Sequence, residues 1–180
     1  MIRQQRMQVD LPAVIAIGSN LGDREAIIRD AVRAIDALPG VVVVRASGLV
    51  ETAALKPEGV DEHAPAYLNA VVAVRSAIGA LQLLDALRGI ETEFGRVRDV
   101  RWGDRTLDLD IVQFAGPPID EPDLTVPHPR AWQRAFVLAP WLQIEPDATL
   151  PGHGRIADLL ADAVRRDGTE PTPYAAEPLS

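Results

Sequence analysis

The chain has 180 residues, 47% of them hydrophobic, and its 18 Lys and Arg against 26 Asp and Glu give a net charge of −8. That acidic balance argues against general nucleic-acid binding, and a cysteine count of zero excludes disulfides, a thiolate metal site and a cysteine nucleophile. The length suits one domain burying about 70% of the surface its unfolded chain exposes; without a signal-length apolar core or a bilayer-length apolar run, a cytoplasmic protein with no membrane association is expected.

Residues 1–10 are largely polar, and 1–12 are expected to be a flexible N-terminus. Ala13 to Ile17 is a short apolar run closed by Gly18-Ser19-Asn20, which reads as a buried strand and a tight turn. Ile28, Val32, Ile35 and Leu38 recur at helical spacing, with Asp23 or Asn20 as the cap and Pro39-Gly40 as the stop. Val41 to Val44, running on toward Val50, is a second strand, and the Gly, Pro and acidic residues of 51–69 mark a long loop, a length that in compact domains tends to be functional. Tyr67 to Val74 is a third strand, and Leu81, Leu84, Leu87, Ile90 and Phe94 outline a second amphipathic helix ending at Gly95.

The irregular segment 96–105 precedes a strand that runs through Phe114, so the order is strand, helix, strand, strand, helix, strand. This is the pattern of a ferredoxin-like α+β sandwich, a βαββαβ core with an antiparallel sheet and helices on one face. After it come a hairpin into Leu124-Thr125-Val126, the Pro127-His128-Pro129 turn, a helix from Arg130 toward Ile144 and a last helix over Ile156 to Val164. A single domain over 13–165 is expected. From Arg166 onward Pro, Gly, Glu and Thr dominate, and 166–180 reads as a disordered tail.

The most informative stretch is RVRDVRWGDRTLDLD, residues 96–110. Leu107, Leu109 and Ile111 alternate with Asp108 and Asp110, so on a strand the apolar side chains face one way and both carboxylates the other. Their Cα atoms then lie roughly 6.6 Å apart, close enough for both side chains to converge on a pair of ions. Mg²⁺ is the natural guest, since it takes hard oxygen ligands, with one or two protein carboxylates and the remainder from water and phosphate. Arg96, Arg98, Arg101 and Arg105 form a basic island in an acidic protein, and guanidinium forks match phosphate oxygens. Taken singly, an Asp-x-Asp strand or a run of arginines is more often a solvated face; side by side they read as a polyphosphate site.

With these pieces in order the chain resembles the 6-hydroxymethyl-7,8-dihydropterin pyrophosphokinases, which transfer pyrophosphate from ATP to a pterin alcohol in folate biosynthesis. The likeness covers about residues 13–162 and rests on AIGSNLGDR (16–24), YLNAV (67–71), GRVR (95–98), RWGDRTLDLDI (101–111) and VPHPRAWQRAFVLAP (126–140). It implies ATP as co-substrate and Asp108 and Asp110 as ligands of two Mg²⁺ ions. It implies further that Arg96 and Arg105 are the catalytic cations that close over the triphosphate, with Arg98, Arg101 and Trp102 on the same loop. Thr125, His128, Arg134 and Glu91 are implied on the nucleotide side. For the pterin it implies stacking between Tyr67 and Phe136, a hydrogen bond from Asn69, and backbone contacts near Thr52 and Leu55. On residue type alone, Tyr67 and Phe136 read as core aromatics, His128 as a turn cap and Glu91 as a solvated helix residue.

Asp104 stands where the family usually has Pro, and Asp123 where some members carry a basic residue near the nucleotide. Rival readings are another Mg²⁺-dependent nucleotide transferase and a nucleotide-binding paralogue without turnover. A monomer acting on ATP and the pterin, with no nucleic-acid partner, is expected.

Overall fold

The structure, a computed structural model, describes residues 9–56, 59–61, 65–95 and 106–179, with backbone alone at 54–56 and 59–61. In chain order its elements are β1 (Leu11–Ser19), α1 (Arg24–Asp36), β2 (Val41–Ala46), β3 (Val50–Thr52), β4 (Ala54–Lys56), β5 (Gly59–Asp61), β6 (Tyr67–Ser76), α2 (Ala80–Glu93) and β7 (Asp108–Phe114). There follow β8 (Ile119–Glu121), β9 (Leu124–Val126), a 3₁₀ turn (Ala131–Gln133), α3 (Ala135–Ile144), β10 (Thr149–Leu150), β11 (Gly154–Arg155), α4 (Ile156–Asp167) and β12 (Thr172–Pro173). None of the described helices is long and apolar enough to cross a membrane.

Six strands form an antiparallel sheet in the order β12-β3-β6-β1-β7, with β2 pairing β6 on the same flank as β3. Strand alternation divides the core in two. Ile15, Ile17, Leu68, Ala70, Val72, Leu109 and Ile111 face α1 and α2, meeting Ile28 and Ile35 of α1 and Leu83 and Leu87 of α2. Val14, Val71, Ala73 and Val112 face the other way, under Leu138 and Trp141 of α3 and Ile156 and Leu159 of α4. Each fully buried aliphatic side chain contributes roughly 1.5–3 kcal/mol.

Helices therefore cover both faces of the sheet, whereas one covered face was expected. The physical reason lies in β6: Ala70-Val71-Val72-Ala73-Val74 is a continuous apolar run, every member of it buried, as a strand requires when both its sides are packed.

Helix α1 is capped by Asp23, whose side chain accepts from the Ala26 N–H at 3.1 Å. The long loop expected over 51–69 contains β3 and the β4–β5 hairpin, while 57–58 and 62–64 lie outside the described residues. The expected flexible N-terminus falls largely outside them as well, and β1 starts at Leu11.

The tail differs most from expectation. Instead of a disordered segment, Thr172 and Pro173 pair with Glu51 and Val50 at the edge of the sheet, and Leu179 is buried in the core beside α1. Composition marked the tail as loose, yet Pro171, Tyr174 and Leu179 supply apolar anchors at intervals along it.

Candidate active site

Strand β7 presents Asp108 and Asp110 on the sheet face toward α3, because Leu109 and Ile111 turn the other way into the core under α1 and α2. β7 is also the last strand of the sheet, so N–H groups on its outer side need partners from elsewhere. Glu91 of α2 supplies one: its Oε1 accepts from the Leu109 N–H at 2.8 Å, between the two aspartates. Glu91 is buried, so the solvated alternative for this residue does not hold, and its carboxylate fixes the strand that carries Asp108 and Asp110.

Asp110 meets two groups from the segment after β9. Its Oδ2 accepts from Arg134 Nη1 at 3.3 Å and lies 3.9 Å from His128 Nε2. The turn holding His128 follows a cis Val126-Pro127 bond, and the His128 N–H donates to the Val112 carbonyl at 2.9 Å, tying the turn to β7. His128 Nδ1 accepts from the Arg130 N–H at 3.1 Å. That bond assigns the proton of the neutral ring to Nε2, the nitrogen nearest Asp110. Burial pushes the His128 pKa below its ordinary value; Asp110 opposes the shift, and Arg134 and Arg130 reinforce it. Burial also lowers the Arg134 pKa against the pull of Asp110, yet a guanidinium stays charged at any physiological pH. Its Cζ lies 5.7 Å from the centroid of the Phe136 ring, within reach of a cation–π contact.

A second group is assembled on β6 and β3. Asn69 Nδ2 donates to Thr52 Oγ1 at 3.0 Å, and Tyr67 pairs with Thr52 in the ladder. Tyr67 and Asn69 alternate with Leu68 and Ala70, which belong to the α1/α2 core, so both point to the side of α3. Phe136 packs against the core on that same side, and both Tyr67 and Phe136 are half-buried.

Pairing registers join the two groups. Gly18 of β1 lies opposite Asn69 on one flank and opposite Asp108 on the other, so Asn69, Gly18 and Asp108 form one row on one face. A Cβ at Gly18 would sit 3.2 Å from Asn69 Oδ1. The glycine keeps the middle of the row low, and the Asn69 side chain extends over it. Gly18 was legible as part of a turn motif; its place between Asp108 and Asn69 was not, since it depends on two strand registers.

Arg24 is another residue that local pattern does not reveal. Its Nη1 donates to Glu51 Oε1 at 2.9 Å and to the Ala66 carbonyl at 2.6 Å, closing the base of the loop between β3 and β6. Thr125 is exposed on β9, three residues before His128. The backbone of Leu55 pairs with Val60. Asp123 lies 3.7 Å from Arg88 of α2. His153 stacks on Trp132 with ring centroids 5.2 Å apart. Arg96, Arg98, Arg101, Trp102, Asp104 and Arg105 lie outside the described residues.

Residues 14–146 match the family described as "7,8-dihydro-6-hydroxymethylpterin-pyrophosphokinase (HPPK)". The chain belongs to the HPPK family. It is 43% identical over 161 residues to the 2-amino-4-hydroxy-6-hydroxymethyldihydropteridine pyrophosphokinase of Pseudomonas aeruginosa, covering 89% of this chain and 96% of that one. Identity to the Bacillus subtilis protein of the same name is also 43%, over 141 residues, 76% of this chain and 82% of the other. Among solved structures, the HPPK-DHPS of Plasmodium falciparum matches with a TM-score of 0.67 at 16% identity over 90% of this chain. A further HPPK-DHPS, solved in complex with substrates, matches with a TM-score of 0.70 at 14% identity over 88% of this chain. This chain spans just under half of each, 46% and 44%. At such identities these two likenesses speak for the fold: a mixed α/β protein with an antiparallel sheet.

Proposed function

We propose that Asp108, Asp110, His128 and Arg134 form the nucleotide half, and Thr52, Tyr67, Asn69 and Phe136 the pterin half, of one cleft on the α3 face of the sheet. As a member of the HPPK family, the chain is an ATP-dependent diphosphotransferase that moves pyrophosphate from ATP to 6-hydroxymethyl-7,8-dihydropterin in folate biosynthesis, releasing AMP. The observation that carries the site assignment is the row Asp108, Gly18, Asn69, which sets a carboxylate and an amide on one face with only a glycine between them.

Asp108 and Asp110 fit Mg²⁺: both are partly exposed, share a face, and offer hard oxygen donors in the number Mg²⁺ ordinarily takes from a protein beside a nucleotide. Bound there with ATP, two Mg²⁺ ions would neutralise phosphate charge and polarise the β-phosphorus. The remaining work falls to the chain's own groups. Arg134 offers a fixed cation beside Asp110, placed to meet phosphate oxygens as a charged donor. His128, neutral and protonated at Nε2, adds a hydrogen-bond donor rather than a metal ligand at that nitrogen. Asn69, oriented by Thr52, presents its carbonyl oxygen to the donors of the pterin ring, while Tyr67 and Phe136 enclose the ring faces. Positioning and charge neutralisation suffice for this class of transfer, so no general base is assigned. Arg96 and Arg105, with Arg98, Arg101 and Trp102, are proposed to close over the triphosphate and exclude water.

We further read β1-α1-β2-β6-α2-β7 as a ferredoxin-like core, a reading supported by the sheet path β2-β6-β1-β7, and take the protein to act as a cytoplasmic monomer.

The test is AMP release from ATP and Mg²⁺ with and without 6-hydroxymethyl-7,8-dihydropterin, with Asp110→Asn alongside. Pterin-dependent AMP that vanishes in the variant is expected; equal AMP from the variant would overturn the metal assignment.

A further inference from the structure

We propose that the C-terminal segment 169–179 is a positioning strap for the pterin half of the active site. The inference rests on the assignment of Thr52 and Asn69 to that half.

Helix α4 packs on the α3 side of the sheet and ends at Gly168, whose φ of +67° turns the chain away. The segment then rounds the edge of the sheet. Thr172 and Pro173 pair antiparallel with Glu51 and Val50, the Tyr174 N–H donates to the Leu49 carbonyl at 2.9 Å, and Thr172 Oγ1 donates to the Glu51 carbonyl at 3.4 Å. On the opposite side of the sheet the strap reaches α1. Arg29, itself held by Glu25, donates from Nη1 to the Pro178 carbonyl at 2.9 Å and from Nη2 to the Glu177 carbonyl at 2.5 Å. Leu179 enters the α1/α2 core. The segment is thus tethered at its start by α4, held at its end by α1 and the core under it, and paired with β3 at its middle.

What the strap holds is short. β3 has three residues, each paired with β6 on one flank, and β12 covers its other flank. A strand of that length lies at the lower limit of strand lengths and, without β12, would be a bare edge. Its last residue is Thr52, the partner of Asn69, and its middle residue is Glu51, which receives Arg24 beside the Ala66 carbonyl. Fraying of β3 would therefore release the Asn69 amide and the base of the β3–β6 loop together. The nucleotide half hangs on other supports: Asp108 and Asp110 on β7, and Arg134 and His128 beside α3. Arg166, which donates to the Gln133 carbonyl, lies before the strap and survives its removal.

The experiment compares three proteins: the full chain, a chain ending at Gly168, and full-length Arg29→Met. AMP release is measured with the pterin varied at saturating MgATP and with MgATP varied at saturating pterin, alongside thermal melting. The truncated chain should show a rise in pterin KM of about tenfold with ATP KM changed by less than about twofold, and Arg29→Met a smaller rise in the same parameter. An unchanged pterin KM, or equal rises in both KM values, would reduce the strap to general stabilisation and overturn the proposal. Should the truncated chain fail to fold, Arg29→Met decides alone, and an unchanged pterin KM there overturns the proposal equally. A full-length chain without pterin-dependent AMP release would instead sink the functional reading.

Discussion

Glu91 Oε1 and the Leu109 N–H meet at 2.8 Å inside the protein, at the point of β7 midway between Asp108 and Asp110. A buried carboxylate from one helix thus pins the backbone of the strand on which the metal assignment rests. Glu91→Ala should leave that N–H without its acceptor and cost roughly 1–3 kcal/mol of stability, and it should raise the Mg²⁺ concentration needed for half-maximal AMP release. Glu91→Gln keeps an acceptor at the same place and should fall between Glu91→Ala and wild type in both readouts. Melting curves and Mg²⁺ titrations of the two variants check this; a Glu91→Ala protein with an unshifted Mg²⁺ requirement would separate Glu91 from the site.

Asp108 and Asp110 are themselves only partly buried, so their side chains can be changed without opening the core. Asp108→Ala and Asp110→Asn should abolish pterin-dependent AMP release while circular dichroism and melting temperature stay near wild type, because the strand remains anchored by Leu107, Leu109 and Ile111. Substantial turnover in either variant would contradict their role.

Gly18→Ala would put a Cβ 3.2 Å from Asn69 Oδ1. The amide would have to swing, at a cost of roughly 1–3 kcal/mol if the backbone resists, and its hydrogen bond to Thr52 would be disturbed. Pterin KM should rise severalfold with little change in ATP KM. A rise confined to ATP would show that the row is read wrongly.

His128 makes a pH prediction for the protein kept free of metal with a chelator. Its folded-state pKa lies below the ordinary value of about 6.5, so unfolding in mild acid takes up a proton. The associated stability is complete above pH of about 6.5 and is lost as pH falls through the folded-state value. Replacing His128 by Gln should flatten the fall in melting temperature between about pH 7 and pH 5. Parallel wild-type and variant curves would show that other groups set the acid limb.

Periodicity made much of the framework legible. Ile28, Val32 and Ile35 mark the buried stripe of α1, Leu87 and Ile90 that of α2, and Leu109 and Ile111 orient Asp108 and Asp110. The second helical layer was hidden in β6, where unbroken apolar residues look like ordinary strand pattern until something is known to pack on each side. Pairings between distant residues were beyond local reading: Thr172 with Glu51, Arg29 with Pro178, and Arg134 with Asp110 are separated by 121, 149 and 24 positions. Glu91 was picked out by its resemblance to family residues, but its bond to Leu109 depends on β7 lying at the edge of the sheet, a fact of strand order that composition does not carry.

The row through Gly18 also works as a ruler. Asp108 and Asn69 sit on strands either side of β1, so their backbones are separated by two inter-strand spacings, about 9.6 Å. That length is fixed by main-chain hydrogen bonding and is indifferent to which residues fill the surrounding loops. Under the proposed assignment, an acceptor alcohol held at Asn69 would have to bridge this span to present its oxygen to phosphate gathered at Asp108, which would make the reach of the molecule, as well as its hydrogen-bonding edge, a criterion for turnover.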